Sequence, residues 1–360
     1  MDYIDDSPVV VNMDNHQSNI NKIILNDNLE FWMTNLPPCL KSLPIINLAI
    51  PGSHNTMTYT IERNNDVGPD ESKYLRLLGK YFGILLKPLI FNWSVTQYDT
   101  ITEQLNGGIR YLDFRLAKKS NNDIYFLHGL FGDEITKYLY EISIWLNNHP
   151  GEKLIIDCQH FYLFNKCHHN MFVDKLKNIF NHKICPSTMD LTQITIDMMN
   201  DKSYQLIIIY RNDICNVEID FWPSNLWPTP WPNTVNPHKL IDFLNTRLKT
   251  KLNDAGFVSQ CLLTPNKSYI FKHICGSLHR DLATLCRTTS DNWIENNCPG
   301  YGGLNIVITD YVSYQNFLFS KIVIQRNSVL VDNNIDNDDK KNNLYLNEKQ
   351  NYYDNDLNCI

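Results

Sequence analysis

The chain has 360 residues, 43% of them hydrophobic and 12% aromatic, which suits a large packed core and excludes a wholly disordered protein. Its net charge is −7, but the segment 332–360, with six Asp, one Glu and three Lys, carries −4 of this. The body is therefore near neutral, which neither demands nor forbids an anionic ligand, and no nucleic-acid partner is expected.

The chain opens on "MDYIDDSPVV", which is acidic and lacks the apolar core of a secretory signal. Residues 1–28 are Asn- and Asp-rich and are expected to be disordered. "PIINLAI" (44–50) is predicted as the first strand, and it leaves through Pro51 and Gly52 into Ser53, His54, Asn55 and Thr56. A histidine at the mouth of a strand is held by a rigid element while its ring faces a ligand or solvent. "YLRLLGKYFGILLKPLIFNW" (74–93) contains the longest apolar run, cut by Lys87 and Pro88 and well short of the ~20 residues of a membrane-spanning helix. It suits a bilayer interface as an amphipathic segment, but packing among the loops is the preferred expectation.

"GIRYLDFRL" (108–116) is the second predicted strand, with Arg110, Asp113 and Arg115 placed in its C-terminal half, and "DIYFLHG" (123–129) is the third, ending at His128. From Phe131, "FGDEITKYLYEISIWLNNHPGE" reads as a helix, because Ile135, Leu139, Ile142 and Leu146 recur at spacings of three and four. "KLIIDCQ" (153–159), ending at Asp157 and Gln159, and "YQLIIIY" (204–210), followed by Arg211, are nearly continuous apolar runs, as strands buried on both faces should be. "MFVDKLKNIF" (171–180) lies between them as a helix, and "HKLIDFLNTRLKTKL" (238–252) precedes the strand "FVSQCLLT" (257–264). "LNIVITDYV" (304–312) is the last strand and reaches Asp310. In the tail from Asp332, 15 of 29 residues are Asn or Asp, so 332–360 is expected to be disordered.

Strands alternating with helices predict a parallel sheet. No linker-like break interrupts residues 29–331, which are expected to form one domain. Seven or eight such units favour an α/β fold of the (β/α) barrel type, with an open doubly wound sheet as the alternative. Ten scattered cysteines without a C-x-x-C pair point to reduced thiols and a cytoplasmic setting.

In a parallel barrel the strand ends converge on one face, bringing His54, His128, arginines and several carboxylates into one cleft. That inventory suits displacement at phosphorus. A phosphodiester needs a base for the attacking hydroxyl, an acid for the leaving oxygen and a fixed cation for the phosphoryl charge. Imidazole serves either of the first two roles near neutrality, and a guanidinium grips two phosphate oxygens without losing its charge.

"PGSHNTMTY", "EQLNGGIRYLDFRLA", "FLHGLFG", "LIIDCQHFY" and "NIVITDYV" together resemble the X-box blocks of phosphatidylinositol-specific phospholipase C. They are most similar to its small eukaryotic branch, the X-domain-containing proteins, and the likeness runs from about Leu48 to Val312, including "FWPSNLWPTPWPNT". The resemblance implies an irregular TIM-type barrel. It implies His54 as general base, His128 as general acid, Arg115 as phosphate clamp and Asp310 as the support of the base. It also implies cleavage of phosphatidylinositol to diacylglycerol and a cyclic inositol phosphate, at a membrane surface that the protein visits peripherally and transiently. Arg211 matches the arginine that holds the inositol ring in bacterial members.

Asn55 departs from the aspartate usual in the small relatives and matches the calcium-dependent enzymes, whose other ion ligands fall at Asp113, Arg115 and Asp157. A guanidinium at the ion's place repels Ca²⁺, so no metal or other cofactor is expected. Asn55, Asp113, Asp157 and Arg211 stand as candidate substrate-binding residues, although buried pairing of Asp157 with Arg211 explains those two equally well. "KCHHN" (166–170) and the set His273, Cys275 and His279 lack four-ligand spacing and read as ordinary positions, and His160 reads as packing. Trp222, Trp227 and Trp231 suit a membrane rim, with burial preferred. Two other functions compete. One is a headgroup-binding protein of weak or lost activity, with Asn55 as the lesion. The other is a metal-dependent glycerophosphodiester hydrolase, which the lack of an H-R-G opening argues against.

Overall fold

The computed structural model describes residues 28–119, 122–212 and 220–331. The termini expected to be disordered lie outside these residues, apart from Asn28. Eight strands are present among them: β1 (Ile50–Ser53), β2 (Tyr111–Lys118), β3 (Ile124–His128), β4 (Leu130–Glu134), β5 (Leu154–Tyr162), β6 (Leu206–Tyr210), β7 (Val258–Gln260) and β8 (Ile306–Thr309). Six run parallel in the order β6–β5–β2–β1–β8–β7.

Alternation along each strand sorts the core. Ile50, Tyr111, Ile155, Ile207, Ile209, Val258, Ile306 and Ile308 pack together in one cluster, on the inside of the curved sheet. Leu112, Phe114, Leu154, Ile156, Leu206, Ile208 and Val307 point the other way, against Ile101, Leu139, Ile142, Phe172 and Leu240 of the surrounding helices. The interior is tightest at β1. A Cβ on Gly52 would come within 2.9 Å of Ile308 Cγ2 and Tyr111 Cβ, so no side chain fits there.

The fold is an irregular (β/α) barrel, and its irregularities correct the expected pattern. The first strand begins only at Ile50, because Ile45–Asn47 forms a 3₁₀ turn. The third is antiparallel to its neighbour, pairing Leu116 with Phe126 and Lys118 with Ile124. β1 stops opposite Leu112, which leaves the far half of β2 with an open edge, and β3 occupies it. Gly129, at φ +68°, turns the chain into β4, where a helix was expected to begin; that helix is Thr136–Asn148.

No strand pairing joins β6 to β7 among the described residues. The Trp-Pro segment fills this seam. Tyr210 N–H donates to the Trp222 carbonyl (3.0 Å) and Trp222 N–H to that of Ile208 (2.7 Å). On the other side Gly256 N–H donates to Leu226 O and Val258 N–H to Pro228 O, both at 2.9 Å. Trp222 and Trp227 are buried as expected, while Trp231 is largely exposed.

The apolar stretch expected to pack among the loops does so only in part. It forms two helices, Lys73–Tyr81 and Gly83–Ser94, that leave Tyr74, Leu77, Leu78, Tyr81, Phe82, Ile84 and Leu85 exposed, Ile84 by 91%. The second helix's inner end is anchored through Ile90, Trp93 and Ser94, and Leu75, Leu86 and Phe91 pack partly against the cluster of Ile61, Ile90, Val95 and Leu130.

Candidate active site

Residues that continue the inward parity past the C-terminal ends of the strands must face the mouth of the barrel. Positions 50, 52 and 54 put His54 there, 111, 113 and 115 put Asp113 and Arg115 there, 155 leads to Asp157, and 306 and 308 lead to Asp310. His128 arrives by another route. Its antiparallel strand starts beyond the mouth and returns to it, so the expected convergence of parallel strand ends does not explain its position.

His54 is fixed from several sides. Its N–H donates to the Thr309 carbonyl at 3.1 Å, and its own carbonyl accepts from Thr96 Oγ1 (2.9 Å) and Gln97 Nε2 (3.0 Å). In the ring, Nδ1 lies 2.6 Å from Asp310 Oδ1. A carboxylate only accepts, so Nδ1 carries the proton and Nε2 is left with its lone pair. Arg115 Nη2 points at that lone pair from 3.2 Å.

The His128 ring faces the His54 ring with centroids 6.4 Å apart at 74°. Its Nδ1 lies 2.6 Å from the Ser94 carbonyl, which again fixes the proton on Nδ1 and leaves Nε2 free. Burial and then the nearby Arg115 charge push its pKa down to about 3, so it is neutral at pH 7.

Asp113 Oδ2 accepts the Asn55 N–H at 2.9 Å and lies 3.7 Å from Arg115 Nη2. Burial works to raise this carboxyl, but Arg115 and His54 outweigh it and hold it below its usual range. Asn55 sits in the left-handed region at φ +43°, which an Asn tolerates. Both of its amide atoms, Asp113 Oδ1 and Arg115 Nε are buried without a hydrogen-bond partner among the described residues. A small cavity of about 10 Å³ is lined by Asn55, Asp113, Arg115, Met57 and Thr58. The cavity has room for about one water, which these leftover polar atoms could bind.

Asp157 and Arg211 form a bidentate ion pair, Nε to Oδ1 at 2.8 Å and Nη2 to Oδ2 at 2.6 Å. Tyr111 Oη donates to Asp157 Oδ2 (2.6 Å), and Arg211 Nη2 also donates to the Trp227 carbonyl (2.8 Å). The donor set does not fit calcium. The Asp157 oxygens are committed to Arg211, and the Arg115 guanidinium stands beside Asp113. Among the described residues no group of three His, Cys, Asp or Glu side chains is arranged to hold a metal ion.

Two expected positions are corrected. Arg110 precedes β2, is fully buried and pairs with Glu152 at 2.8 Å, away from the mouth. His160 is exposed on β5, opposite Arg115, where packing was expected. His168 and His169 serve structure, the first in a helix capping box with Asn165 and the second 2.8 Å from Tyr210 Oη. Sequence reasoning missed Ser94, Thr96, Gln97 and Asp70, whose Oδ2 accepts the Gly129 N–H beside His128 at 2.6 Å. The polar run "SVTQ" straight after an apolar helix was the available signal.

The family model described as PI-PLC X 1 matches residues 92–210. PI-PLC X domain-containing protein 3 of Mus musculus is 35% identical over 296 residues, which cover 81% of this chain and 92% of that protein. PI-PLC X domain-containing protein 2 of Homo sapiens is 38% identical over 263 residues, covering 72% and 85%. Among solved structures, the phosphatidylinositol-specific phospholipase C of Listeria monocytogenes superposes with a TM-score of 0.57 at 18% identity, covering 83% of this chain and 99% of that one. That of Staphylococcus aureus gives 0.58 at 17%, covering 84% and 98%; at such identities the likeness shows the shared fold. With 35% of 296 aligned residues identical to the mouse protein's across most of both chains, this chain belongs to the PI-PLC X domain-containing protein family.

Proposed function

We propose that the protein is a phosphodiesterase that cleaves phosphatidylinositol at a membrane surface into diacylglycerol and a cyclic inositol phosphate. The observation that carries this reading is the His54–Asp310 contact of 2.6 Å, with Arg115 at 3.2 Å on the other ring nitrogen and His128 facing it across 6.4 Å.

In the proposed reaction the phosphodiester displaces the Arg115 guanidinium from His54 Nε2 and takes it up on its own oxygens. The inositol 2-hydroxyl then attacks phosphorus, and its proton passes to His54 Nε2 while Asp310 stabilises the imidazolium. The bond to the diacylglycerol oxygen breaks, and that oxygen takes a proton from His128 Nε2. Water opens the cyclic product by the reverse assignment, with His128 as base and His54 as acid, which restores both rings. His128 begins neutral, so its Nε2 takes up a proton from solvent before the leaving oxygen departs; an anionic substrate that offsets the Arg115 charge favours this, against the larger effect of burial. Asn55 and Asp113 would meet the phosphoryl or inositol oxygens. The Asp157–Arg211 pair would wall the inositol side.

No helix among the described residues is long and apolar enough to cross a membrane. Peripheral, transient association is supported by the exposed apolar side chains of residues 74–85, interleaved with Lys73, Arg76, Lys80 and Lys87. The eight described cysteines are free, which supports a reducing, cytoplasmic setting. The test is release of inositol phosphate from labelled phosphatidylinositol vesicles by wild type, His54→Ala and His128→Ala, where equal rates in all three would reject the assignment. A second reading, headgroup binding without turnover, is favoured by one observation: the Asn55 side-chain amide, at the position that resembles the small relatives' aspartate, is buried with no hydrogen-bond partner among the described residues. It predicts vesicle binding that depends on Arg115 and no release of inositol phosphate.

A further inference from the structure

A second cavity, of about 250 Å³, lies apart from the catalytic pocket and is lined by Arg63, Phe91, Asn92, Tyr98, Arg280 and Tyr311, with Val95 and residues 275–277 completing it. Two of these side chains are cationic and none is a carboxylate. The Arg63 guanidinium lies 5.1 Å over the Phe91 ring and takes part in no salt bridge among the described residues. Arg280 is braced by the neighbouring Asp281, Nε to Oδ1 at 2.7 Å, and the other carboxylate oxygen, Oδ2, is shared by Arg280 Nη2 and the Ser277 N–H, both at 3.2 Å. The cavity therefore keeps a net positive charge, with a neutral amide and a phenol beside it to complete the coordination of an anion.

Its surroundings say which anion. Phe91, Asn92 and Val95 belong to or directly follow the helix Gly83–Ser94, whose outer end exposes Ile84 and Leu85. An anion seated here has an apolar, bilayer-compatible surface on the same element. The cavity also adjoins both catalytic supports. Val95 follows Ser94, which holds His128, and Tyr311 follows Asp310, which holds His54; the Tyr311 hydroxyl donates to the Val95 carbonyl and ties the two segments together.

We propose that this cavity binds the phosphate headgroup of an anionic phospholipid other than the one being cleaved, fixing the barrel mouth against the bilayer. The proposal rests on the membrane-surface reading above but not on turnover. It is tested with a His54→Ala background, so that vesicles are not consumed, by sedimentation with phosphatidylcholine vesicles with and without phosphatidic acid. Arg63→Ala with Arg280→Ala, both at exposed positions, should weaken binding to the phosphatidic acid vesicles by about 30-fold, the value of two surface cations near an anionic membrane, and leave phosphatidylcholine binding unchanged. Ile84→Ser with Leu85→Ser should weaken both. Undiminished binding by the arginine variant overturns the site, and an equal loss on phosphatidylcholine vesicles made anionic with oleic acid, which adds no phosphate, overturns it in favour of general surface charge. Complete displacement by millimolar inorganic phosphate overturns the lipid assignment in favour of free phosphate. If unmodified protein releases no inositol phosphate while the arginine dependence persists, the enzyme reading fails and this site stands.

Discussion

The Ser94 carbonyl holds Nδ1–H of His128 at 2.6 Å, and Ser94 is the last residue of the helix that carries Ile84 and Leu85 out into solvent. The tautomer of the proposed acid is thus set by the element best suited to meet a bilayer. His54, by contrast, takes its orientation from the barrel wall through Asp310 and Thr309. The two imidazoles answer to different parts of the molecule.

The depressed pKa of His128, about 3, has a consequence with a definite sign. A phosphodiester that cancels the Arg115 charge raises that pKa, so binding takes up a proton and tightens as pH falls. Calorimetric titration with glycerophosphoinositol in buffers of different ionisation enthalpy should show proton uptake that grows as pH falls from 6 towards the free value of about 3, lost in His128→Gln. Affinity that stays flat from pH 5 to 8 would contradict the assignment.

Asp310→Asn keeps the size of the side chain but no longer forces the proton onto Nδ1 of His54. Hydrolysis should fall by about 10²- to 10⁴-fold while the melting temperature changes little. Activity within a few-fold of wild type on phosphatidylinositol vesicles would remove Asp310 from the mechanism.

Arg115→Lys retains the charge and loses the planar guanidinium whose Nη2 lies between His54 and Asp113. The loss should be about 10²-fold or more, mainly in kcat, because the clamp acts on charge that develops at phosphorus. A change confined to KM would make Arg115 a ground-state binder only.

Asn55→Asp introduces a carboxylate at a left-handed position that Asp tolerates, among buried polar atoms with no partner among the described residues. A negative charge there raises the pKa of His128, so the acid form persists to higher pH and the rate near neutrality should rise several-fold. An unchanged pH–rate profile would refute this. Activity that appears only in the variant would favour the headgroup-binding reading of the natural sequence.

Glu152→Ala strands the Arg110 guanidinium in the core, where it also donates to the Leu105 and Ile109 carbonyls. The cost should be about 3–5 kcal/mol in denaturant unfolding, and a loss under about 1 kcal/mol would mean water reaches the site.

Much of the site was legible as parity. "IVITD", "LIID" and "YLDFR" each carry the inward register of their isoleucines or tyrosine on to Asp310, Asp157 or Asp113 and Arg115. The same rule, applied strictly, sets Arg110 with Leu112 and Phe114 on the outward face, so the expectation that it shared the cleft went against its own register. The reversal at β3 also had a signal. Five residues separate Lys118 from Ile124, too few for the crossover that a parallel neighbour needs. The exposure of Tyr74, Ile84 and Leu85 was legible only as the less favoured alternative, because an apolar side chain looks the same in sequence whether or not a protein core covers it.

His128 rides on a hairpin that clips to one edge of β2, while the six parallel strands pair in the order β6–β5–β2–β1–β8–β7 without it. Chemistry and architecture are therefore separable inheritances in this chain. A single exchange at His128 would remove the proposed acid and leave the parallel pairings of the sheet as they are.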